Sequence, residues 1–517
     1  MLKLGGRSLK IQYGSVNKLI SPRAHQLIEK CHSLCDCSLC DRNDKKTLTE
    51  PYCLKIYPIP IYPTHPMTSL PPNRAKTLKE AYRACDVKPL TGEDCQRYYV
   101  NLSAVRNTEA IEGVSTDLEL QEPGDFKTIL FTGHRGCGKS TELKRLQSRW
   151  EKEYRVIYIE TDLEIDIKDA EYTDLYLLFI KKVADDLTEL HLKFDAQLLE
   201  SFESWFKDVT NESEETIQAS VSIETEASAG FEIPLISKLL AKTIGTMRGS
   251  SQQKKVIRET LQRNISRLQT DINLLLNDAF DQLKRKYPDR YQKGFLLIVD
   301  NLDRISPKVG EHLFFDYESQ LQELDCTIIY TVPISVIYSD KNVSNLFQSP
   351  NIVPMVNIYE FDRSRCDLDY NQQALAGVAN LIEKRVDIDA VFADRQQLLD
   401  LAKASGGHVR QLMQITGLAC RTAITRKHSK ILPEDVDYAL KQQQFDFERS
   451  TPTSEYYTTL ARVCVEKDIS KDEIGQKLLF NLSVLEYHGD SRWNYVNPLV
   501  KQSYAFQQAL KTIQGNS

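Results

Sequence analysis

The sequence predicts an α/β protein in which a parallel sheet is flanked by helices and is followed by an all-helical region. Two observations support this fold class. Short apolar runs rich in β-branched residues alternate with helical patterns between residues 126 and 335, which is the order expected for parallel strands joined by crossover helices. After residue 365, apolar residues recur mostly at helical spacing. The 517 residues are enough for about two to four domains.

The composition is that of an ordinary globular protein. Hydrophobic residues make up 41% of the chain and charged residues 27%, and the formal net charge is -6. A dedicated nucleic-acid binder usually carries a basic excess, so DNA is disfavoured as the main partner, although a local basic patch stays open. The chain lacks both an apolar run of about 18 residues and an apolar signal segment. We therefore expect no membrane span and a cytoplasmic protein with twelve free cysteines.

Four consecutive regions are expected along the chain. Residues 1–75 form a cysteine-containing extension and a proline-rich linker, residues 76–360 the sheet domain, residues 361–445 a helical lid, and residues 446–517 a small C-terminal helical module. In the last region, two extended runs around HGDSR predict a hairpin. Helices followed by a hairpin suggest a winged-helix module.

The N-terminal extension contains a crowded cysteine cluster. The run CHSLCDCSLC has thiolate spacing that suits a zinc ion. Zinc sites usually pair two distant cysteine pairs, however, so a zinc ion is the less favoured interpretation. The linker YPIPIYPTHPMTSLPP should be extended and exposed, and Met67 within it is a second candidate start of the protein.

The sheet domain is predicted from its buried strands and the amphipathic helices between them. An earlier run, RYYVNLSAV (97–105), is predicted to be a short strand or an extended segment. The main strands are predicted in FKTILFTG (126–133), YRVIYIET (154–161), GFLLIVDNLDRI (294–305) and DCTIIYTVPIS (325–335).

Two segments of this domain allow two interpretations each. An acidic insertion at about 208–250 is either a solvated loop, which we favour, or a partner surface, with Val221 and Ile223 alternating as in an exposed hairpin. Apolar residues from Ile257 to Leu283 repeat as in a heptad and predict one long helix. That helix packs either on its own sheet, which we favour, or against another subunit.

The run GHRGCGKST follows a predicted strand and opens a predicted helix, which is the context of a P-loop. Its glycines let backbone N–H groups approach a phosphate, and the helix N-terminus adds partial positive charge. Lys139, expected to face solvent without ligand, should reach the β- and γ-phosphates, while Ser140 binds Mg²⁺. Cys137 needs no chemical role. The predicted nucleotide-binding residues are Gly133, His134, Arg135, Gly136, Cys137, Gly138, Lys139, Ser140 and Thr141.

A second acid should help to hold the metal. Asp300 ends the apolar strand LLIVD, where a Walker B aspartate belongs, so Ser140 and Asp300 are the predicted Mg²⁺ ligands. The next residue is Asn301, where many ATPases have a glutamate that polarises water. Asp303 is therefore the best candidate for the general base, and nucleotide binding is better supported than hydrolysis.

These motifs and their order resemble those of AAA+ ATPases, in particular the origin-recognition and archaeal-initiator proteins and the STAND-type members. The resemblance covers roughly residues 95 to 445. It implies ATP and Mg²⁺ as ligands, Thr331 on a strand like sensor 1, and Arg410 in SGGHVRQLMQI as a sensor 2 arginine. DNLDR also resembles the corresponding acids of STAND and KAP ATPases. Members of such families often complete the site with a neighbour's arginine, for which the candidates are Arg304, Arg363 and Arg365.

Three functions stay open. The favoured one is an ATP-driven switch whose nucleotide state controls homo-oligomerisation and signalling to an unknown partner, as the resemblance to STAND-type regulators, including those of bacterial antiviral defence, implies. The second is a DNA-associated AAA+ factor, in which QQKKVIRETLQR and RTAITRKHSK would contact phosphates. The third is a scaffold that binds ATP without turnover.

Overall fold

The computed structural model describes residues 73–210, 234–249, 251–451 and 453–515. All of them belong to one compact unit, Pro66–Ser517. The N-terminal cysteine cluster with its zinc hypothesis, the proline-rich linker with Met67, and the hairpin pattern at Val221 and Ile223 lie outside the described residues. None of the described helices is long and apolar enough to cross a membrane.

Seven strands are described. Five form a parallel sheet in the order β2-β3-β4-β1-β5, and two form an antiparallel hairpin near the C-terminus. The strands are β1 (Thr128–Gly133), β2 (Arg155–Glu160), β3 (Phe295–Asp300), β4 (Thr327–Pro333), β5 (Asn351–Val353), β6 (Val484–His488) and β7 (Arg492–Val496).

Helices connect these strands and make up most of the chain after β5. They are α1 (Leu78–Ala84), α2 (Gly92–Tyr98), α3 (Ser103–Arg106), α4 (Ala110–Leu120), α5 (Lys139–Trp150), α6 (Thr161–Glu164), α7 (Tyr172–Glu189), α8 (Ala196–Thr210), α9 (Leu235–Gly249), α10 (Ser251–Arg263), α11 (Ile265–Lys286), α12 (Pro307–Glu311), α13 (Glu318–Gln322), α14 (Ile334–Ile337), α15 (Gln372–Glu383), α16 (Ile388–Val391), α17 (Arg395–Ala404), α18 (Val409–Thr425), α19 (Pro433–Ser450), α20 (Ser454–Glu466), α21 (Glu473–Phe480), α22 (Pro498–Lys501) and α23 (Tyr504–Gly515).

The parallel sheet confirms the predicted fold class, and four of its five strands, β1 to β4, lie where the apolar runs predicted them. Because side chains alternate along a strand, each strand contributes side chains to two hydrophobic cores, one on each side of the sheet. Ile129 and Phe131 of β1 pack with α5 and the helices that follow β5, and we call this side the lid face. Leu130 of β1 and Leu297 of β3 pack with α7 and α11 on the opposite side, the back face.

The structure corrects two predictions of secondary structure. In RYYVNLSAV (97–105) the strand alternative is wrong, because α2 runs to Tyr98 and α3 begins at Ser103, whereas Tyr99 between the two helices is extended. The stripe from Ile257 to Leu283 is divided between α10 and α11, which are separated at Asn264. Backbone hydrogen bonds at Asn264 end one helix and begin the next.

The heptad-like stripe packs within the chain itself. Ile257 and Ile265 are partly buried, and the deeper positions are almost fully buried on the back face. The favoured interpretation, packing on its own sheet, is therefore right, and the stripe is not free to pair with another subunit. Its buried members are Leu261, Leu268, Ile272, Leu275, Ala279 and Leu283.

The end of the acidic insertion is helical. Residues 235–249 form α9, and Ile236, Leu239 and Leu240 are buried on the back face. The solvated-loop interpretation is therefore wrong for this part, because the apolar side chains there are spaced to cover one face of a helix. Further along the chain, α19 continues to Ser450, across the predicted boundary at residue 445.

Candidate nucleotide-binding cleft

The predicted P-loop lies between the end of β1 and the start of α5. Gly136 has a φ of 82°, and a Cβ there would come within 2.6 Å of both the Arg410 Cβ and the His408 Nε2. Gly133 has a φ of 149°, and a Cβ there would lie 2.3 Å from the carbonyl oxygen of Val353. Glycine is therefore required at both positions by backbone conformation and by close neighbours.

Next to the P-loop is a cleft with about 930 Å³ of empty space, part of which is open to solvent. We call the part of its lining that belongs to the P-loop and the first turn of α5 the polar end. We call the part contributed by apolar and aromatic side chains from two separate parts of the chain the apolar end. These side chains are Val87, Pro89, Leu90, Tyr98, Tyr99, Val100, Leu102, Leu381, Val409 and Met413.

Lys139 lines the polar end of the cleft but is only 4% exposed. Its ammonium group lies 2.8 Å from the Asp303 carboxylate and donates to the carbonyl oxygens of Gly133 and His134 at 2.8 and 2.9 Å. Burial lowers the pKa of Lys139, but the Asp303 carboxylate outweighs it, so the net pKa is raised. The expectation that Lys139 faces solvent without ligand is therefore wrong.

Asp300 ends β3 and is 2% exposed. Its carboxylate accepts hydrogen bonds from the Tyr158 hydroxyl at 2.6 Å and from the Asn301 N–H at 2.8 Å. Ser140 lines the cleft, whereas Asp300 is not among the described residues that do so. The described residues contain no cluster of three or more His, Cys, Asp or Glu that could hold a metal.

A hydroxyl and a carboxylate beside a phosphate site still suit Mg²⁺. This ion is usually bound through one or two carboxylates, substrate phosphates and water. Ser140 and Asp300 would be the protein groups that hold it. When bound, it would neutralise phosphate charge and orient the terminal phosphate.

Asn301 explains why the usual glutamate is missing beside Asp300. Its φ is 64°, in the left-handed region, which asparagine adopts more readily than glutamate. Its side-chain amide donates to the Asp162 carboxylate at 2.7 Å. The left-handed residue begins the turn over Leu302–Arg304, on which Asp303 and Arg304 line the cleft.

Three other predicted residues serve the structure around the cleft. The Thr141 hydroxyl accepts a hydrogen bond from the Leu90 N–H at 3.2 Å, so it supports the apolar end of the cleft. Cys137 is fully buried in the lid-face core, as a small residue that fits the loop. The Thr331 hydroxyl bonds the Val299 carbonyl and the Leu302 N–H, which ties β4 to β3.

The lid contacts the P-loop backbone directly. The Arg410 N–H donates to the carbonyl of Gly136 at 3.1 Å, and the His408 ring donates from Nε2 to the carbonyl of Arg135 at 2.8 Å. Arg410 also lines the cleft. Gly407 makes this approach possible, since its φ is 77° and a Cβ there would lie 2.0 Å from the Val356 carbonyl oxygen.

The C-terminal module contacts the same loop, which the sequence did not indicate. The Glu486 N–H on β6 donates to the His134 Nε2 at 2.8 Å. The Arg135 guanidinium donates to the carbonyl of Phe480 at 2.9 Å and lies 4.3 Å from the centre of that residue's ring. His134, predicted to bind nucleotide, is fully buried, and its side chain is bonded to the hairpin instead.

Both histidines of this contact region are held neutral. Burial lowers the pKa of His134 to about 3, and the neighbouring His408 and Lys139 lower it further. Burial likewise lowers the pKa of His408 to about 4. A neutral His134 is required, since its Nε2 accepts a hydrogen bond from the Glu486 backbone N–H and so carries no proton itself.

Arginines crowd the polar end of the cleft. Arg106, which the sequence analysis missed, is 4% exposed and donates to the carbonyl of Cys137. Arg304 lines the cleft and is paired with Asp162. The other two candidate fingers bind elsewhere: Arg363 donates to the carbonyl of Glu466 at 3.3 Å, and Arg365 pairs with Asp369.

Sequence reasoning also missed the apolar end of the cleft. Residues 86–90 and 98–102 carry no motif, and their spacing is neither that of a strand nor that of a long helix. The one available signal was their position, since they precede β1 and hold tyrosines, a proline and aliphatic residues. Only the fold brings them to Leu381 and Met413 of the lid.

Comparison with known proteins supports the interpretation of this loop and cleft as a nucleotide-binding site. Residues 111–315 match the model of the KAP family P-loop domain. No curated protein matches the chain significantly in sequence.

Several solved structures resemble this chain at low sequence identity. The ORC2 protein of Aeropyrum pernix, solved as ADPNP-ADP complexes, is 13% identical with a TM-score of 0.36, covering 84% of this chain and 98% of its own. Cdc6p of Pyrobaculum aerophilum is 12% identical with a TM-score of 0.33, covering 80% and 96%. A Walker-type ATPase of Pyrococcus abyssi is 13% identical with a TM-score of 0.36, covering 83% and 99%.

The sheet, the P-loop and the KAP match support a P-loop NTPase domain in which residues 111–315 are similar to the KAP family. The predicted resemblance to P-loop ATPases is confirmed, and ATP binding with ATPase activity is the function that the domain supports.

Proposed function

We propose that this protein is an ATP-dependent switch in which the P-loop transmits its nucleotide state to the lid and to the C-terminal hairpin. The observation that carries the proposal is the set of contacts on the loop. The lid bonds the carbonyls of Arg135 and Gly136, and the C-terminal module bonds the side chains of His134 and Arg135. A loop held from two sides cannot rearrange around phosphates without changing at least one of those contacts.

Nucleotide binding begins with competition for Lys139. Its ammonium group is already paired with Asp303, and a triphosphate offers stronger acceptors. As Lys139 moves to the phosphates, Asp303 loses its partner and becomes free to accept a proton from an attacking water. Asp300, oriented by Tyr158, would support the metal from the end of β3.

The two ends of the cleft suit the two ends of a nucleotide. The P-loop amides and basic side chains face the phosphates, while Tyr98, Leu102, Leu381 and Met413 line a region where a purine base could pack. Because lid residues contribute to both ends, ATP would be enclosed by the lid. We propose that this closure is what partner molecules detect.

The switch extends to assembly, since ATP-bound homo-oligomers are part of the proposal. The stripe from Ile257 to Leu283 no longer supports it, because those residues are buried within the chain. Assembly therefore rests on the change in the lid and hairpin surfaces. Light scattering with Mg²⁺ and a slowly hydrolysed ATP analogue, compared with no nucleotide, measures it directly.

A DNA-associated role is less favoured. In QQKKVIRETLQR, Lys254 pairs with Asp166 and Asp169, and Arg258 pairs with Asp174, so neither is free for phosphates. In RTAITRKHSK, Arg426 and His428 both contact the buried Asp435. These ion pairs contradict a DNA-binding role for those four basic residues.

Hydrogen exchange tests the switch. A slowly hydrolysed ATP analogue with Mg²⁺ should change amide protection at Met355 and Glu486, whose hydrogen bonds link the hairpin to the sheet domain. Amides of α11 on the back face are the internal control. Protection that changes at the P-loop but stays the same across β6 and β7 would contradict transmission to the hairpin.

A further inference from the structure

We propose that Arg304 binds the terminal phosphate of the nucleotide on its own chain, so that one molecule supplies every protein group the reaction needs. The inference rests on the nucleotide site of the proposed function and goes beyond it. It assigns to Arg304 a catalytic role within its own chain, in place of a role in a neighbour's site. Nucleotide hydrolysis would then not require a second subunit.

Arg304 is positioned in the nucleotide cleft of its own chain. Arg304 lies on the turn Leu302–Arg304 directly after β3 and lines the same cleft as Lys139 and Ser140. The left-handed Asn301 turns the chain at this point. Arg304 therefore faces the P-loop of its own chain, whereas a finger for a neighbour would have to face away from it.

Positive charge is concentrated around Arg304. Arg135 and Arg410 also line this end of the cleft. Burial lowers the pKa of both guanidinium groups, and each is lowered further by the positive charge of Arg304. Seven basic side chains line the cleft against three acidic ones. Like charges brought together in a partly buried site indicate an anionic ligand, and a triphosphate has the charge to match them.

The Arg304 side chain is oriented by an ion pair with Asp162. One edge of the Arg304 guanidinium is held by Asp162, whose other oxygen accepts from the Asn301 amide. Arginine has five N–H donors in a planar fork, so Asp162 fixes its direction and leaves donors for phosphate oxygens. Asp162 is therefore a positioning residue for Arg304.

The chemical step needs no protein group from a second subunit. A water oxygen forms a bond to the terminal phosphorus, the bond from phosphorus to the bridging oxygen breaks, and the diphosphate leaves with that electron pair. The proton of the water passes to Asp303. Arg304 donates hydrogen bonds to the terminal oxygens and keeps its own protons, and arginines in this role can act within their own chain.

The test compares Arg304→Ala and Arg304→Lys with the control Arg365→Ala, because Arg365 was an equal candidate by sequence but pairs with Asp369 outside the cleft. The parent should bind ATP more tightly than ADP. Both Arg304 variants should keep ADP affinity within about threefold and lose about tenfold in ATP affinity by calorimetry. Single-turnover hydrolysis should fall by about 100-fold or more. Lysine should not rescue, because it lacks the planar fork.

A fourth variant, Asp162→Asn, keeps a hydrogen-bond acceptor but weakens the orientation of Arg304. It should reduce the single-turnover rate while ATP affinity changes less. Specific activity of the parent should be constant over a hundredfold dilution. Variants are compared only where thermal unfolding shows a folded protein, and Arg304→Lys serves if Arg304→Ala fails to fold.

Two results would overturn the inference. One is an Arg304→Lys variant with the ATP-to-ADP preference and rate of the parent. The other is a specific activity that falls steeply on dilution, since a neighbour would then complete the site. If the parent hydrolyses ATP too slowly to measure, the inference is tested by comparing the ATP-to-ADP affinity ratio of the parent with that of the Arg304 variants. A parent that binds neither nucleotide would instead refute the proposed function itself.

Discussion

The two faces of the parallel sheet are packed by different means. On the back face, α7, α10 and α11 cover the sheet with apolar side chains. The buried Arg258 on this face forms an ion pair with the buried Asp174. On the lid face, apolar packing is joined by hydrogen bonds from His408, Arg410 and Glu486 to the P-loop. One face therefore stabilises the fold, and the other also holds the site.

This difference separates stability from function. A side chain buried only among apolar neighbours contributes to the free energy of unfolding and little to ligand affinity. The lid-face contacts contribute to both, since they hold a loop that has to bind phosphate. Substitutions on the two faces should therefore change unfolding and ATP binding in different proportions.

The largest effect is expected for Lys139→Ala. It leaves Asp303, which is 6% exposed, without its partner, and breaking a buried pair costs about 3 to 5 kcal/mol of unfolding free energy. ATP affinity should fall by about 10- to 100-fold. Chemical denaturation and calorimetry measure the two quantities. Lys139→Ala combined with Asp303→Ala should recover stability without ATP affinity; equal instability of the single and double variants would contradict the buried pair.

On the back face, Ile272→Ala should lower stability alone. Ile272 is fully buried on α11, and removing such a side chain costs about 2 to 5 kcal/mol. At a temperature where the variant is folded, its ATP affinity should stay within about twofold of the parent. A large loss of ATP affinity in the folded variant would show that the two faces are not separate.

Gly407→Ala tests the lid contact against a matched glycine. Because φ is 77° and a Cβ would lie 2.0 Å from the Val356 carbonyl oxygen, the variant should lose about 1 to 3 kcal/mol. It should also bind ATP more weakly, since His408 and Arg410 follow directly. Gly377→Ala on α15, where a Cβ meets nothing within 4 Å, should be neutral or slightly stabilising. Equal ATP affinity in both variants would argue against a role for the lid loop.

The smallest effect is a pH dependence from the lid face, which amounts to about 1 kcal/mol per histidine between pH 7 and pH 5.5. The pKa values of His134 and His408 are lowered to about 3 and about 4 by burial, against about 6.5 in the unfolded chain. The unfolded chain therefore binds protons first as the pH falls. Stability is complete above about pH 6.5 and is lost toward pH 4 at about 1.4 kcal/mol per pH unit for each histidine.

His134→Gln, which keeps an acceptor for Glu486, isolates this contribution. Denaturation at pH 7 and at pH 5.5 should show a smaller loss of stability in the variant than in the parent. A slope in His134→Gln equal to that of the parent would mean that His134 does not stay neutral in the folded protein.

Much of the fold could be predicted because apolar period and glycine placement determine local structure. β1, β3 and β4 are nearly continuous apolar runs, as expected for strands buried on both faces. β5 was missed because it has only three residues and follows a proline. The apolar stripe that begins at Ile257 could not reveal that α9 is its neighbour, because α9 lies in the segment that was predicted to be an acidic loop.

The site, like the fold, has a part that could be predicted from the sequence and a part that could not. Walker-type residues were predictable, because phosphate chemistry restricts residue types within a few positions of the chain. The ion pair of Lys139 with Asp303 and the contact of His134 with Glu486 join residues far apart in sequence, and no local pattern records such contacts. Arg106 was missed for the same reason.

The hydrogen bond between His134 and Glu486 spans 352 residues, and it therefore orders events during synthesis. At about 5 to 20 residues per second, a ribosome needs about 20 to 70 seconds to go from one partner to the other. During that time the nascent P-loop lacks the hairpin that holds it. The ATP site of this protein should consequently mature only after translation has passed β6, so a stalled ribosome would carry a domain with its phosphate loop still unrestrained.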